Sequence, residues 1–390
     1  MDQAKRSILI LGTRGVPANH GGFETFAERL ALFLSARGWD VSVYCQENVA
    51  NVESQTTVSM WRGIRRICVQ VANRGPVGTL DFDWKCVKDA ATRPGICLVL
   101  GYNTGILFPY LRWRGRKILA NMDGIEWRRA KWGCMARAWF WLNEWIAAWS
   151  SNRLVADHPA IADHLATRRS RSAAVVIPYG GDPVSQASDA PVRALGLEPD
   201  RYLVSIARIE PDNNIHTFIE AFLSRPRGAR LVMLGLLDER NAYHRFVREL
   251  SRGQVLFPGA IYDREVTQSL RFHCRAYLHG HTVGGTNPSL VESLWAGNAV
   301  LAHDNVYNRW TAGEAALFFK DAAECDVAMT RLLSDDALVH RCAAAALDRA
   351  RTVFSWNDVC LAYERECETL IASKASEVPD ELAMAPRQWT

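Results

Sequence analysis

The stretch from His281 to Gly297, HTVGGTNPSLVESLWAG, begins as a loop and ends as a helix. Asn287 is a favoured N-cap, Pro288 suits the first helical position and Gly297 is a typical stop, so a helix is expected from about Pro288 to Ala296. Leu290, Val291, Leu294 and Trp295 give it an apolar face for a core. An apolar run, AYLHGH (276–281), precedes the loop, and another, AVLAHD (299–304), follows the helix. Strand, glycine loop, helix and strand form the repeating unit of a parallel α/β layer. The free N–H groups at the helix tip carry partial positive charge, and Gly284 and Gly285 let a ligand approach the backbone closely. Glu292 lies one turn behind, ~6 Å along the axis. An anion at the tip with a hydroxyl-bearing group one turn away fits this spacing, which describes a nucleoside diphosphate joined to a sugar.

The same alternation extends outward. In the second half, strands are expected at 202–208, 229–235, 254–261, 276–281 and 299–304, with helices starting near 215 and 240. In the first half they are expected at 7–12, 41–45, 96–102, 117–124, 153–158 and 173–180, with helices over about 23–37, 135–150 and 159–167. In the 135–150 helix, Met135, Trp139, Leu142, Trp145, Ile146 and Trp149 recur at helical spacing, which predicts a stripe facing the core. A polar stretch at 180–200 separates the halves. With 390 residues, two domains are the default. The expected organisation is a Rossmann-like domain over 1–182, a second over 183–355, a closing helix over 356–373 and a disordered tail over 374–390.

Composition is that of an ordinary soluble globular protein, 48% apolar and 23% charged. There is no run of 18 apolar residues, and the opening MDQAKRSILILG is too short for a signal peptide. The ten cysteines form no CxxC or Cys/His cluster, so reduced thiols in a cytoplasmic protein are expected and a metal site is not. Charge is uneven: residues 1–180 hold 24 Lys and Arg against 14 Asp and Glu, and the remainder 22 against 28. The excess concentrates in Arg112, Arg114, Arg116, Lys117, Arg128, Arg129, Lys131 and Arg137, mixed with Trp113, Trp127, Trp132 and Trp139. That mixture suits an anionic membrane surface, or else a plain solvated basic face. Nucleic acid is disfavoured, because no helix-turn-helix, finger or RRM pattern accompanies the charge.

Each candidate residue carries a functional and a structural reading. Gly21-Gly22 opens a helix after the loop GTRGVPANHGGFET, where the pair either makes a turn or meets a phosphate through the backbone. The loop is not GxGxxG and no acid ends the second strand, so a dinucleotide site is disfavoured. Arg208, at a strand end in SIARIEPDNN, is either a diphosphate ligand or a solvated arginine. Asp123, in ILANMDGIEW, is either an acid–base or hydroxyl-orienting group or a turn cap. His279 and His281 stand directly before the glycine loop, while Asp157 or His158 in ADHPAIADH is expected to cap a helix.

Taken together, LGTRGVPANHGGFETFAERLA, NMDGIEWRRAKW, ADHPAIADHL, IPYGGD, ARIEPDNNI, GHTVGGTNPSLVESLWAG and FSWNDVCLAYE form an ordered series over residues 10 to 364. The chain resembles glycosyltransferase family 4, a GT-B family, and in particular its bacterial rhamnosyltransferase-like subgroup with a GTRGVPA-HGGFET region. The resemblance implies two Rossmann-like doubly wound α/β domains facing across a cleft, with the acceptor in the first and a nucleotide-sugar in the second. It implies that Gly21 and Gly22 approach the diphosphate, that Arg208 binds phosphate, and that Glu292 takes the ribose hydroxyls. Two positions depart from the family pattern. The first Glu of E-x7-E falls on Gly284, and the phosphate-binding lysine falls on Asn214. The backbone of Gly284, Gly285, Thr286 and Asn287, with His281, is expected to replace the donor-sugar contact. Asp123 occupies the place of a catalytic-site histidine.

The resulting expectation is a retaining, metal-independent hexosyltransferase of bacterial surface polysaccharide assembly that uses no cofactor beyond its nucleotide-sugar donor. The subgroup suggests dTDP-rhamnose, with GDP-mannose or a UDP-sugar as alternatives. The acceptor is expected to be a lipid-diphosphate-linked sugar, and the enzyme cytoplasmic and peripheral to the inner face of the membrane. Two rival classes share the architecture: a nucleotide-sugar epimerase, and a non-catalytic nucleotide- or glycan-binding subunit.

Overall fold

The computed structural model describes residues 6–18, 21–49, 56–72, 75–129 and 131–373, so the expected disordered tail lies outside the described residues. The first sheet holds β1 (Ser7–Leu11), β2 (Asp40–Asn48), β3 (Thr57–Trp61), β4 (Ile64–Val71), β5 (Ile96–Leu100), β6 (Lys117–Asn121), β7 (Arg153–Ala156) and β8 (Ala174–Val176). Their spatial order is β3-β4-β2-β1-β5-β6-β7-β8. All neighbours are parallel except the β3–β4 hairpin. The second sheet is wholly parallel, in the order β11-β10-β9-β12-β13-β14. It comprises β9 (Tyr202–Ile206), β10 (Arg230–Leu234), β11 (Val255–Gly259), β12 (Ala276–His279), β13 (Val300–His303) and β14 (Ala316–Phe319).

Helices cover both faces. Around the first sheet run α1 (Gly21–Ala36), α2 (Gly75–Ala90), α3 (Phe108–Trp113), α4 (Cys134–Ser150) and α5 (Pro159–Leu165). The second half contributes α6 (Ala190–Ala194), α7 (Ile215–Leu223), α8 (Ala242–Leu250), α9 (Arg264–Phe272), α10 (Pro288–Trp295), α11 (Val306–Ala312), α12 (Ala322–Ser334), α13 (Asp336–Val353) and α14 (Trp356–Ala372). A central parallel strand is buried on both faces, which is why its sequence reads as a continuous apolar run. In β1, Leu9 and Leu11 enter one core while Ile8 and Ile10 enter the other. In β9, Leu203 and Val204 divide in the same way.

Strand order reverses between β1 and β5 in the first sheet and between β9 and β12 in the second. Ligands of open α/β sheets lie outside the carboxyl ends of strands at such reversals. The segment carrying Arg208 leaves β9, and the 280–287 loop leaves β12, so one reversal gathers both.

The last helix returns to the first sheet. Val359, Cys360, Tyr363 and Cys367 share a core with Ile8 and Ile10. Asn121 donates to the Tyr363 hydroxyl at 2.8 Å, and buried Glu364 accepts from Arg37 at 2.6 Å and from the Trp39 indole at 3.0 Å. The chain therefore passes between the halves twice. At the crossing, Gly181 bridges Ser355 and its N–H donates to the Phe354 carbonyl at 2.8 Å, which also accepts from the Trp295 indole at 3.0 Å. A Cβ on Gly181 would lie 2.1 Å from Trp295, and one on Gly180 would lie 2.6 Å from Trp356. Only glycine fits both places.

The sequence reading assigns no element to several segments, α2, β14 and α12 among them, and two findings depart from it more sharply. The β3–β4 hairpin is new. Four of the five β3 residues are exposed, so no alternation marks the strand, and its turn is Arg62-Gly63, both at positive φ, rather than the familiar Asn-Gly. The second departure is α4. Its stripe does not face the core: Met135, Trp139, Leu142 and Trp149 are exposed, as is Trp141, and the buried positions are Asn143, Glu144, Ala147 and Ala148. Polar side chains turn inward because each finds partners. Asn143 accepts from the Ile106 N–H at 2.8 Å and donates to the Trp139 carbonyl at 2.8 Å. Glu144 accepts from the Trp127 indole at 3.0 Å and from Arg168 at 2.7 Å, and lies 2.9 Å from His164. Burial opposes its charge, but the bonds to His164 and Arg168 outweigh burial and hold its pKa below the usual range.

Candidate functional site

The site begins with α10. Asn287 caps it as expected, accepting from the Ser289 N–H at 3.0 Å, Pro288 opens it, and Gly297 follows its end at φ 71°. Leu290, Val291 and Leu294 are fully buried. Glu292 remains partly exposed, and its carboxylate is held at 2.6 Å by Arg271, a buried side chain from the end of α9. Arg271 also donates to the Ser289 hydroxyl at 3.2 Å. Ser289 in turn donates to the Ile206 carbonyl at 3.0 Å and lies 2.5 Å from the Tyr277 hydroxyl. The carboxylate one turn behind the helix tip thus stands on a hydrogen-bonded base reaching the end of β9. Sequence spacing reveals Glu292 but not Arg271, which is 21 residues away and sits in no motif.

The glycine loop touches the opposite domain. Gly284 (φ 136°) lies so near Gly124 that a Cβ on Gly124 would meet the Gly284 Cα at 3.3 Å. A Cβ on Gly285 would lie 1.9 Å from the Asp157 carboxylate. That carboxylate accepts the Thr286 N–H at 3.0 Å, and the Thr286 hydroxyl donates to the Asp157 carbonyl. Two expectations meet the geometry here, that Thr286 contacts the ligand and that Asp157 or His158 caps a helix. Thr286 is buried and joined to Asp157 through both its N–H and its hydroxyl, so the structure makes it part of a clasp between domains rather than an open ligand contact. Asp157 belongs to the same clasp, whereas His158 is the cap of α5, accepting the Ala160 N–H at 3.0 Å. The His158 ring packs against Tyr307 and Trp310 of the second domain, with centroids 5.3 and 4.7 Å away.

Gly22 meets the same region from the first domain: a Cβ there would lie 3.0 Å from Pro288. Gly21, at φ 71°, starts α1 in a conformation that suits glycine. Asn214, at φ 51°, donates its amide to the Gly280 carbonyl at 2.8 Å and so braces the loop from below. His281 is half-buried and stacks on buried His279 at 4.4 Å. Burial, then Arg129 and Arg208, push its pKa down to about 3, so the imidazole is neutral. Asp123, at φ 50°, donates its N–H to the Asn121 side chain at 2.9 Å. Burial raises its pKa, with Arg129, Glu126, Gly124 and Arg208 as smaller influences of both signs. Asp157 is pushed up more strongly, by burial and then by Asp123.

Cations face these acids. Arg208 is largely exposed and lies 3.4 Å from Glu210. Lys131, from the first domain, lies 3.8 Å from the same carboxylate, and its pKa is lowered by burial and then by Arg208. Arg129 is paired with Glu126 at 2.6 Å. In the sequence, Arg129 and Lys131 register only as part of a basic stretch. Folding brings them to the cleft beside Arg208.

Comparisons with known proteins bear on the fold. The family described as "Domain of unknown function (DUF1972)" matches residues 5–182. None of the curated proteins matches the chain. Among solved structures, sucrose-phosphate synthase from Thermosynechococcus elongatus superposes with a TM-score of 0.75 at 18% identity, over 95% of this chain and 100% of that one. An α,α-trehalose-phosphate synthase (UDP-forming) from Burkholderia xenovorans, in complex with glucose-6-phosphate, gives 0.73 at 12% identity, over 93% and 100%. HepE from Anabaena, in complex with UDP, gives 0.70 at 14% identity, over 93% and 100%. These likenesses give the chain the GT-B fold, two Rossmann-like domains facing across a cleft.

Proposed function

We propose that this GT-B chain is a glycosyltransferase that moves a hexose from a nucleotide-sugar to a lipid-diphosphate-linked sugar in bacterial surface polysaccharide assembly. The carrying observation is the Arg271-anchored Glu292 one turn behind a capped helix tip, with Arg208 on the segment that leaves β9 at the same strand reversal. In this reading the helix tip and Arg208 take the diphosphate, and Glu292 accepts hydrogen bonds from the ribose hydroxyls. Arg129 and Lys131 add positive charge from the facing domain, where the departing diphosphate gains negative charge; electrostatic stabilisation of this kind usually lowers the barrier of such reactions more than any other single effect. Protein cations thereby fill the role of a metal ion, and no cofactor is needed besides the donor. The acceptor hydroxyl attacks from the face the diphosphate leaves, with retention, and its proton passes to the leaving phosphate oxygen. Asp123 orients that hydroxyl, and neutral His281, beside Gly284 and Gly285, faces the donor sugar. The donor we favour is dTDP-rhamnose. The exposed tryptophan face of α4, in a domain rich in basic residues, supports a peripheral station on the inner face of the cytoplasmic membrane.

A panel of dTDP, UDP and GDP with their sugars, read as thermal shifts, tests the donor site, because a ligand bound by the native state alone raises its melting temperature. One nucleotide is expected to shift the protein by several degrees. Glu292→Ala and Arg208→Ala are each expected to weaken it roughly tenfold, about 1.4 kcal/mol. Undiminished binding in both variants rejects the assignment. One observation favours a second reading: Asp123, Asp157 and His281 crowd one cleft, as the acid and base groups of a nucleotide-sugar epimerase would. Isomerised donor formed without acceptor would decide for it.

A further inference from the structure

The reversal between β1 and β5 holds a cavity of about 270 Å3 that the donor site does not use. This is near the lower end of small-molecule pockets, roughly 300 Å3. It opens between the carboxyl ends of the two strands, with Gly12 and Gly101 at the strand ends, α2 on one side and the loop carrying Arg14 on the other. Buried Phe82 and Phe108 wall it, and exposed Thr79 stands at its rim.

One polar group singles the cavity out. Asp83 projects from α2 into it, and among the described residues its hydrogen-bond partner is the Thr104 hydroxyl, at 2.8 Å, and no cation pairs with it. Burial raises its pKa to about 6, the bond from Thr104 working against the rise, so the carboxyl carries charge at neutral pH in a poorly solvated place. A carboxylate has about four acceptor sites, and Thr104 takes one. A second acid, Glu24, lines the same cavity, and its carboxylate accepts the Arg14 N–H at 3.0 Å and the Thr13 hydroxyl at 3.3 Å. A phosphate or carboxylate ligand would be repelled by the two acids. A neutral ring bearing several hydroxyls would satisfy Asp83 and lay its C–H face on the phenylalanines.

We propose that this cavity is a binding site for one uncharged pyranose unit, with Asp83 accepting hydrogen bonds from its hydroxyls. Its identity as the acceptor's terminal sugar rests on the glycosyltransferase reading. The acids then require any diphosphate of the acceptor to lie outside, on the side of exposed Arg14.

The test is saturation-transfer NMR of the full chain with methyl glycosides of glucose, galactose, mannose, N-acetylglucosamine and rhamnose, alongside nucleotide thermal shifts. At least one glycoside is expected to bind in the millimolar range. Asp83→Ala is expected to weaken it at least tenfold, and Thr79→Phe, which closes the rim without entering the core, to abolish it, both with the nucleotide shift retained. Absence of glycoside binding, or binding indifferent to Thr79→Phe, overturns the proposal; should Asp83→Ala misfold, the rim variant decides. Loss of the nucleotide shift in the wild type would instead strike the donor reading and leave sugar binding to stand or fall by itself.

Discussion

Gly285 illustrates how much one missing methyl group decides. A Cβ there would stand 1.9 Å from the Asp157 carboxylate that holds Thr286, and burial leaves that carboxylate little room to retreat. Gly285→Ala is therefore expected to part the two domains locally and to lower donor turnover more than tenfold, with the circular dichroism spectrum unchanged. Arg271 acts by different physics. Removing it leaves Glu292 without its anchor, and because that carboxylate is partly exposed the cost in stability should be modest, about 1–2 kcal/mol by urea unfolding. A double-mutant cycle with Glu292→Ala should show strong coupling in nucleotide affinity, and simple additivity would mean the ion pair does not position the carboxylate. At this scale the sequence was legible wherever chemistry and spacing coincide. Asn287, Pro288, Glu292 and Gly297 lie within eleven residues and obey helix-end rules. Asp157 and Arg271 reach the site from other parts of the chain, and no local rule connects them to it.

For elements, the alternation of strand and helix marks the buried strands well, because strands covered on both sides must be apolar. It fails where an element faces water. The exposed β3 shows no pattern, and α4 shows a pattern that points the wrong way. Helical periodicity reports that a helix has two unlike faces without saying which one is covered. In α4 the covered face is settled by Asn143 and Glu144, which reach partners on other elements. Asn143→Leu, apolar though it is, should destabilise the fold by about 2–3 kcal/mol by stranding the Ile106 N–H and losing both hydrogen bonds. Trp149→Gln should change stability by less than about 0.5 kcal/mol. Co-sedimentation separates that face from inert surface: Trp139→Ser with Trp149→Ser should reduce binding to phosphatidylglycerol vesicles several-fold, and unaltered binding would remove α4 from the membrane proposal.

Across the whole molecule, the seam between the domains holds titratable groups. His158 is buried against Tyr307 and Trp310, and burial holds its pKa at about 4, with the Tyr307 backbone and Asp163 acting in the opposite direction. The unfolded or opened chain would titrate near 6.5. Its neutral form therefore favours closure fully above pH 6.5, and that contribution, up to ~3 kcal/mol, is lost as pH falls from 6.5 towards 4. Asp157 in the same clasp, its pKa raised by burial, instead favours closure as it takes up a proton. Small-angle scattering near pH 4–5 should show a smaller radius of gyration for His158→Asn, which keeps a capping side chain, than for the wild type, with the two alike above pH 6.5.

The double passage at Gly181 and Ser355 has a mechanical consequence. Two strands of chain fastened side by side act as an axle, whereas a single linker would act as a tether. Such a double crossing restrains separation and free twisting of the lobes, and the Trp356 and Trp295 rings packed on Gly180 and Gly181 leave the crossing little slack. If the lobes move, a small rotation at this line would become a wide gape at the far rim, so the two glycines would set the direction in which the cleft opens.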